Sequence, residues 1–293
     1  MIIKKIKDEI KCNICLQSPI NLTEEHVPPK CVQKWKTLRV FKRYTGNVLY
    51  LREKAPGFIG DVYGGLSFKT TCDSCNNNLL APYDNELKNL FDQIEPHALL
   101  AHKNYRIGQS DQIDFLSNTG DVLRSLLGHT LASYVITPTG TISNSVRNFV
   151  LNPSIELPDD FQLYYWFYKG LDIKVSNMFG FAFNENMSNS SFVQAYLKFW
   201  PLAFLVSSKK FDVLENTPGV FNGRNLFDTK AKTESVFPMS FTSNLRADWP
   251  EGGVNSEISG VASFNDEASV HIYATTLLKS KSLVRKIKNS RIT

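Results

Sequence analysis

Two short cysteine motifs decide the fold of this chain: residues 12–15 read Cys-Asn-Ile-Cys, and residues 72–76 read Cys-Asp-Ser-Cys-Asn. Two residues between paired cysteines let one tight turn present both thiolates to a single ion, and two such pairs complete a tetrahedral site. In a chain of 293 residues this spacing favours a metal site in a reducing compartment over a disulfide framework. We therefore predict a structural zinc ion bound by Cys12, Cys15, Cys72 and Cys75.

Short elements surround these pairs. Period-2 and helical patterns predict a strand near 22–27, strands at 47–52 and 66–71, and a helix from Asn76 to about Asp92. A second helix is predicted over about 121–136, and aromatic and β-branched runs dominate beyond it, at 161–168, 174–183, 191–207 and 268–277. We expect an α+β protein with one module at residues 1–108 and a mixed α+β domain with an antiparallel sheet at residues 109–293.

The positive charge is unevenly distributed. The net charge is +5, and residues 1–110 carry the whole surplus. A lone basic run is usually a solvated face, but basic and aromatic residues interleave from Lys30 to Lys54, close to the cysteines, and such a surface suits phosphate. The predicted nucleic-acid contacts are Lys30, Lys34, Lys36, Arg39, Lys42 and Arg43.

The chain lacks the sequence features of a membrane or exported protein. No apolar run approaches the ~18–20 residues of a membrane span, and the N-terminus lacks the apolar region of a signal peptide. We expect a cytoplasmic protein that does not associate with membranes. The fifth cysteine, Cys31, is interpreted as a small buried side chain or a spare thiol.

Three polar residues lie where one zinc ion would gather them. Glu25 and His26 end the first predicted strand, and Asn76 directly follows Cys75. Carboxylate and amide oxygens are hard ligands suited to Mg²⁺ or Mn²⁺, and an imidazole with an ordinary pKa of about 6.5 suits a general base. These residues predict a second metal, separate from the zinc.

At these residues the chain resembles the HNH, or ββα-metal, nuclease superfamily in its zinc-stapled treble-clef form. The resemblance covers about residues 10–92 and depends on the combination of the two cysteine pairs, Glu25-His26 and Asn76. It implies a metal-dependent endonuclease in which His26 takes a proton from the attacking water while Glu25 and Asn76 hold Mg²⁺ or Mn²⁺. The substrate would be nucleic acid, with DNA favoured over RNA, and the products would carry 5′-phosphate ends.

The chain also departs from the family pattern. Glu25 replaces the commoner Asp, and no counterpart is found for the Asn that many members carry before the second cysteine pair. No histidine follows Cys75 until His97, so a last metal ligand would be Asp84 or Glu86, with Asp84 taken as the candidate. The remaining histidines have no neighbours comparable to those of His26 and are interpreted as ordinary structural histidines: His97, His102, His129 and His271.

The resemblance further implies a bacterial or phage restriction effector, with a role in antiviral defence. Residues 109–293 would then recognise a substrate, a protein partner, a second copy of the chain or a signal. The alternative is a non-catalytic zinc treble-clef module that binds nucleic acid or protein, and a zinc-ribbon regulator fits less well. The alternative explains the cysteines and the charge but gives no reason for Glu25, His26 and Asn76 together.

Overall fold

The computed structural model describes helices and antiparallel sheets, so the predicted α+β class is confirmed. The described residues are 2–4, 11–18, 21–32, 37–42, 57–63, 67–102, 112–134, 137–139, 141–157, 159, 162–170, 172–182, 190–207, 210–242, 260–263 and 271–276. The predicted strand at 47–52 lies outside these ranges. Within them, no helix combines the length and the apolar character that crossing a membrane requires.

The elements are numbered in chain order. The described strands are β1 (Ile2–Lys4), β2 (Leu22–His26), β3 (Thr37–Lys42), β4 (Gly57–Tyr63), β5 (Ser67–Cys72), β6 (Gln112–Asn118), β7 (Gln162–Phe167), β8 (Asp172–Ala182), β9 (Ser190–Phe199), β10 (Leu202–Ser207), β11 (Val220–Asn222), β12 (Glu234–Ser240), β13 (Gly260–Ser263) and β14 (His271–Thr276). The described helices are α1 (Ala81–His102), α2 (Thr119–Ala132), α3 (Thr141–Leu151), α4 (Asp212–Glu215) and α5 (Gly223–Leu226). A 3-10 turn (Lys30–Val32) follows β2, and a π-helical segment (Ser74–Leu80) leads into α1.

A three-stranded sheet joins the two cysteine pairs. Its central strand is β5, which runs parallel to β1 and antiparallel to β2. These strands confirm the predictions near 22–27 and 66–71. Leu22 lies opposite Cys72 and His26 opposite Ser67, so Glu25 lies near the end of β2 that is farther from the second cysteine pair.

The helices pack behind this sheet. α1 extends to His102, beyond the predicted end near Asp92, because buried Ile94 and Ala98 continue its apolar face. α2 confirms the second predicted helix and is buried on almost every side, which is typical of a helix at the centre of a core. Phe91 of α1 stacks on Phe199 of β9 with ring centroids 5.4 Å apart, so the core continues into the larger sheet.

The larger sheet is antiparallel and runs in the order β11-β7-β10-β9-β8-β14-β3-β4, with β13 also paired to β8. The aromatic run at 161–168 forms β7, whose side chains are all buried, so it belongs to the sheet core as expected. β3 and β4 join this sheet through β14. The division at residue 108 stays a prediction, and strands from both sides of it share one sheet.

Candidate metal centres

The four predicted zinc ligands come together in the structure, and we call them the cysteine cluster: Cys12, Cys15, Cys72 and Cys75. Their Sγ atoms all lie within 4.8 Å of one another, and Cys15 Sγ lies 3.7 Å from Cys72 Sγ. Sulfurs bound to one tetrahedral zinc ion at about 2.3 Å are about 3.8 Å apart. The cluster therefore has the composition and the spacing to hold a zinc ion.

Backbone and thiol hydrogen bonds favour the thiolate form at this cluster. The N–H groups of Ile14 and Cys72 donate to Cys12 Sγ at 3.4 and 3.3 Å. The thiol of Cys75 also donates to it, and together these donors lower the pKa of Cys12 to about 4, although burial opposes the shift. Burial raises the pKa of Cys15 to about 11. Because metals bind the thiolate, hydrogen bonds that favour the thiolate of Cys12 suit the cluster to a cation.

The first cysteine turn is fastened to the C-terminal end of α2. Asn13 Nδ2 donates to the carbonyls of Leu131 and Tyr134 at 3.0 and 2.7 Å, and Thr70 Oγ1 donates to Ala132 O. The last carbonyls of a helix have no partner within it, so these donors cap α2. The cysteine cluster and α2 are thus parts of one hydrogen-bonded unit.

A second group of metal-ligating side chains, the carboxylate–histidine cluster, consists of Glu25, Asp84 and His129. One ligand atom from each residue lies within 4.8 Å of the others. His129 Nε2 is 2.9 Å from Asp84 Oδ1, and His129 Nδ1 is 3.5 Å from Glu25 Oε1. Glu25 comes from β2, Asp84 from the first turn of α1 and His129 from the last turn of α2.

This cluster is buried and incompletely hydrogen-bonded. The side chains of His129, Glu25 and Asp84 are 0%, 6% and 18% exposed. Glu25 Oε2 and His129 Nδ1 are buried without a hydrogen-bond partner among the described residues. Buried polar atoms without partners are costly, so each calls for an explanation, such as a water molecule or an ion that binds there. The donor set, two carboxylates and one imidazole, fits a divalent cation.

The cluster shifts the pKa values of its own members. Burial, with a contribution from the Asp84 carboxylate, raises the pKa of Glu25 to about 7, although His129 opposes the shift. Burial alone would lower the pKa of His129, but the carboxylates of Asp84 and Glu25 outweigh it and raise the pKa. A site where carboxylates and imidazole perturb one another in this way is typical of a functional centre.

His26 follows Glu25 directly on β2, and Asn76 contacts the same strand, but the two residues differ in their contacts. His26 is half-buried, its Nδ1 has no hydrogen-bond partner among the described residues, and its pKa is lowered by burial and then by the charge of Lys30. Asn76 Nδ2 donates to Thr23 Oγ1 and to Glu24 O at 3.1 and 2.9 Å. The structure thus brings Asn76 to β2, and its role as a metal ligand stays a prediction.

Of the two acidic helix residues proposed from sequence, only Asp84 joins the cluster, since the Glu86 carboxylate instead accepts a hydrogen bond from Asn118 at 2.9 Å. His129, interpreted from the sequence as an ordinary structural histidine, lies between two carboxylates that α1 and β2 supply. A weak signal was present in the sequence. Ser125 and His129 lie one turn apart on α2, so their side chains share one face of the helix.

The other predicted residues are only partly described. Lys30 is exposed in the turn after His26, and Arg39 and Lys42 lie on β3. Lys34, Lys36 and Arg43 lie outside the described residues. Cys31 is half-buried and its Sγ lies 3.5 Å from Asp84 O, so the thiol lies near the second cluster and outside the first.

Comparison with known proteins gave no match: no protein-family model matches this chain, and no curated protein or solved structure is significantly similar to it.

Proposed function

We propose that this protein is a metal-dependent endonuclease that hydrolyses nucleic-acid phosphodiesters, DNA by preference, with an HNH-like centre. The observation that carries the proposal is the pair Glu25-His26. The Glu25 carboxylate belongs to a buried cluster with the composition of a divalent-cation site, while the next residue is a half-exposed histidine. A cation site beside a candidate general base offers the two groups that metal-dependent hydrolysis of a phosphodiester uses.

His26 supplies the base in this proposal. A general base must be unprotonated before it accepts a proton from water, and the lowered pKa of His26 keeps its imidazole neutral at pH 7. Its Nδ1 is buried and has no hydrogen-bond partner among the described residues. Lys30, whose charge contributes to the lowered pKa of His26, is exposed at the start of the 3-10 turn that follows β2. It would hold a neighbouring phosphate.

Glu25 would hold the divalent ion, with Asp84 and His129 beside it. A bound Mg²⁺ or Mn²⁺ would neutralise charge that develops on the phosphate and on the leaving oxygen. Asn76 hydrogen-bonds the π-helical segment before α1 to β2, and these bonds would help to hold β2 and α1 in place around the cluster. The cysteine cluster would keep its zinc for structure, since four thiolates leave no open position.

The basic residues support nucleic acid as the substrate, but phosphate contacts do not select the sugar. The preference for DNA, and a role in restriction or antiviral defence, follow from the resemblance to HNH nucleases. Residues beyond 108 would supply recognition of substrate, protein partner or second copy.

Plasmid cleavage by zinc-loaded protein in Mg²⁺ or Mn²⁺ tests the proposal. Wild type should nick or linearise the plasmid, and His26→Ala should cut at least about 100-fold more slowly, because it lacks the base. Added imidazole should restore part of the rate to His26→Ala. His97→Ala is the matched control, since His97 packs against Phe115 and Phe241 rather than against the cluster.

Chelation completes the experiment. EDTA should abolish cleavage under conditions in which zinc analysis shows that the cysteine cluster keeps its metal. Folded, zinc-loaded protein that leaves duplex, single-stranded and branched DNA and RNA intact would contradict the proposal and favour the non-catalytic binding module.

A further inference from the structure

Within the carboxylate–histidine cluster, the two nitrogens of His129 have different surroundings. Nε2 lies 2.9 Å from Asp84 Oδ1, a normal hydrogen-bond distance, and the same oxygen accepts a hydrogen bond from Ser125 Oγ at 2.6 Å. Nδ1 lies on the Glu25 side, 3.5 Å from Oε1, and has no hydrogen-bond partner among the described residues. The imidazole is therefore hydrogen-bonded to Asp84 on one side, while its other nitrogen faces the Glu25 carboxylate and the backbone of His26 without a close hydrogen bond to either.

We infer that His129 is a ligand of the divalent ion through Nδ1, together with Glu25, and that Asp84 orients this imidazole instead of binding the ion itself. The inference takes the ion from the proposed function and assigns the residues that hold it. A histidine that ligates a metal commonly donates its second ring N–H to a carboxylate, which fixes the tautomer and the ring orientation. Asp84, held in turn by Ser125, is placed to do this for His129.

The orphaned atoms support this assignment. Glu25 Oε2 and His129 Nδ1 belong to side chains that are 6% and 0% exposed, so contact with bulk solvent does not account for their lack of partners. Ligand atoms bound to one ion at about 2.1 Å lie roughly 3–4 Å apart. The 3.5 Å between Nδ1 and Glu25 Oε1 falls in this range. A cation bound by Nδ1 and by both oxygens of the Glu25 carboxylate would satisfy both residues.

An imidazole ligand also selects the ion. Mg²⁺ prefers an all-oxygen shell with several waters, whereas first-row transition ions accept imidazole nitrogen. We therefore expect the site to bind Mn²⁺ at least about 10-fold more tightly than Mg²⁺. The preference follows from His129 and would be absent if the ion were held by oxygen ligands alone.

Mn²⁺ binding to zinc-loaded protein, followed by electron paramagnetic resonance, tests the assignment without any substrate. Electron spin-echo modulation of bound Mn²⁺ should show a directly coordinated ¹⁴N nucleus, and the diamagnetic zinc contributes no signal. Two substitutions separate the roles of the two nitrogens. Glutamine places its amide near the position of Nε2, and asparagine places its amide near the position of Nδ1.

His129→Gln should keep the contact with Asp84, remain folded, lose the ¹⁴N modulation and bind Mn²⁺ at least about 100-fold more weakly. Asp84→Asn should keep the ¹⁴N modulation and lose about 10–100-fold in affinity, the usual cost of removing a residue that orients a ligand. His129→Asn, which keeps an amide near Nδ1, should bind more tightly than His129→Gln. His97→Gln should bind Mn²⁺ as wild type does.

Wild-type affinity in His129→Gln, or bound Mn²⁺ without coordinated nitrogen, would overturn the inference even if cleavage requires Mn²⁺. The converse result, nitrogen-coordinated Mn²⁺ that depends on His129 in a protein that cuts no nucleic acid, would support the inference while the proposed function fails.

Discussion

The cysteine cluster and the carboxylate–histidine cluster are assembled in different ways. The first consists of two local pairs, each presented by one turn, and its four thiolates are sufficient to fill a tetrahedral zinc site. The second takes one residue from each of β2, α1 and α2 and leaves two buried atoms without partners. Closed sites stabilise a fold, and sites with open positions carry out chemistry. The comparison favours a structural role for the first cluster and underlies the proposal that the second is functional.

The largest effect on stability should come from disrupting the cysteine cluster. Cys72→Ser removes a buried thiolate ligand, and structural zinc contributes apparent binding free energies of about 10–16 kcal/mol in small zinc domains. We expect the variant to lose zinc and to show no cooperative thermal unfolding. Metal analysis and circular dichroism during heating would measure both.

The fifth cysteine provides the control for that experiment. Cys31→Ser alters a half-buried thiol outside the cysteine cluster, so zinc content should be unchanged and the free energy of unfolding should fall by about 1 kcal/mol or less. Equal loss of zinc from both variants would refute the assignment of the four ligands.

An intermediate effect should come from separating α2 from the segment that carries Cys75. A Cβ atom on Gly128 would lie 2.4 Å from Cδ2 of Leu80, and Leu80 is fully buried, so it has little room to move. Gly128→Ala should lower the free energy of unfolding by about 1–3 kcal/mol, the usual cost of overpacking. It should also weaken Mn²⁺ binding, because His129 is the next residue. Urea unfolding and Mn²⁺ titration measure the two effects.

A double-mutant cycle shows whether the contact is the cause. Gly128→Ala should cost less in a Leu80→Ala background, where the methyl group has space. An equal cost in both backgrounds would show that another contact is responsible.

The smallest effect on stability should come from a substitution in the carboxylate–histidine cluster. Glu25→Gln replaces a buried carboxylate beside Asp84 with a neutral amide, so without added metal the free energy of unfolding should stay within about 1 kcal/mol of wild type or rise. Mn²⁺ at 100 times its Kd should stabilise wild type by about 2.7 kcal/mol and leave Glu25→Gln unchanged. Thermal unfolding with and without Mn²⁺ gives both values. Loss of cooperative thermal unfolding, as expected for Cys72→Ser, would mean that the carboxylate–histidine cluster is structural.

The two clusters also differ in what the sequence could predict. The spacing of the cysteines was enough to predict that the four form one site, and local patterns predicted β2, β5 and α2. Glu25 and Asp84 were named as candidate ligands, but His129 was missed because its position depends on α2 packing against β2 and α1. Asn13 and Thr70 fix that packing through contacts with residues far along the chain. Such contacts leave no periodic signal.

The sheets show the same limit. The aromatic and β-branched runs predicted strands and an antiparallel arrangement, which β7 to β10 confirm. Nothing in the local pattern indicated that β3 and β4 would join the same sheet through β14. Strand order depends on which edges meet in space, and period-2 alternation describes only the faces of one strand.

The bonds between the first cysteine turn and the helices set the smallest portion of the gene that could be moved to another protein. A fragment that stops before α2 would leave the amide of Asn13 and the hydroxyl of Thr70 without their carbonyl acceptors. Arg147 of α3 also donates to Asn13 O at 2.8 Å. A transplantable unit would therefore have to run from the first cysteine pair through α3, and a fusion junction placed at residue 108 would cut through its support.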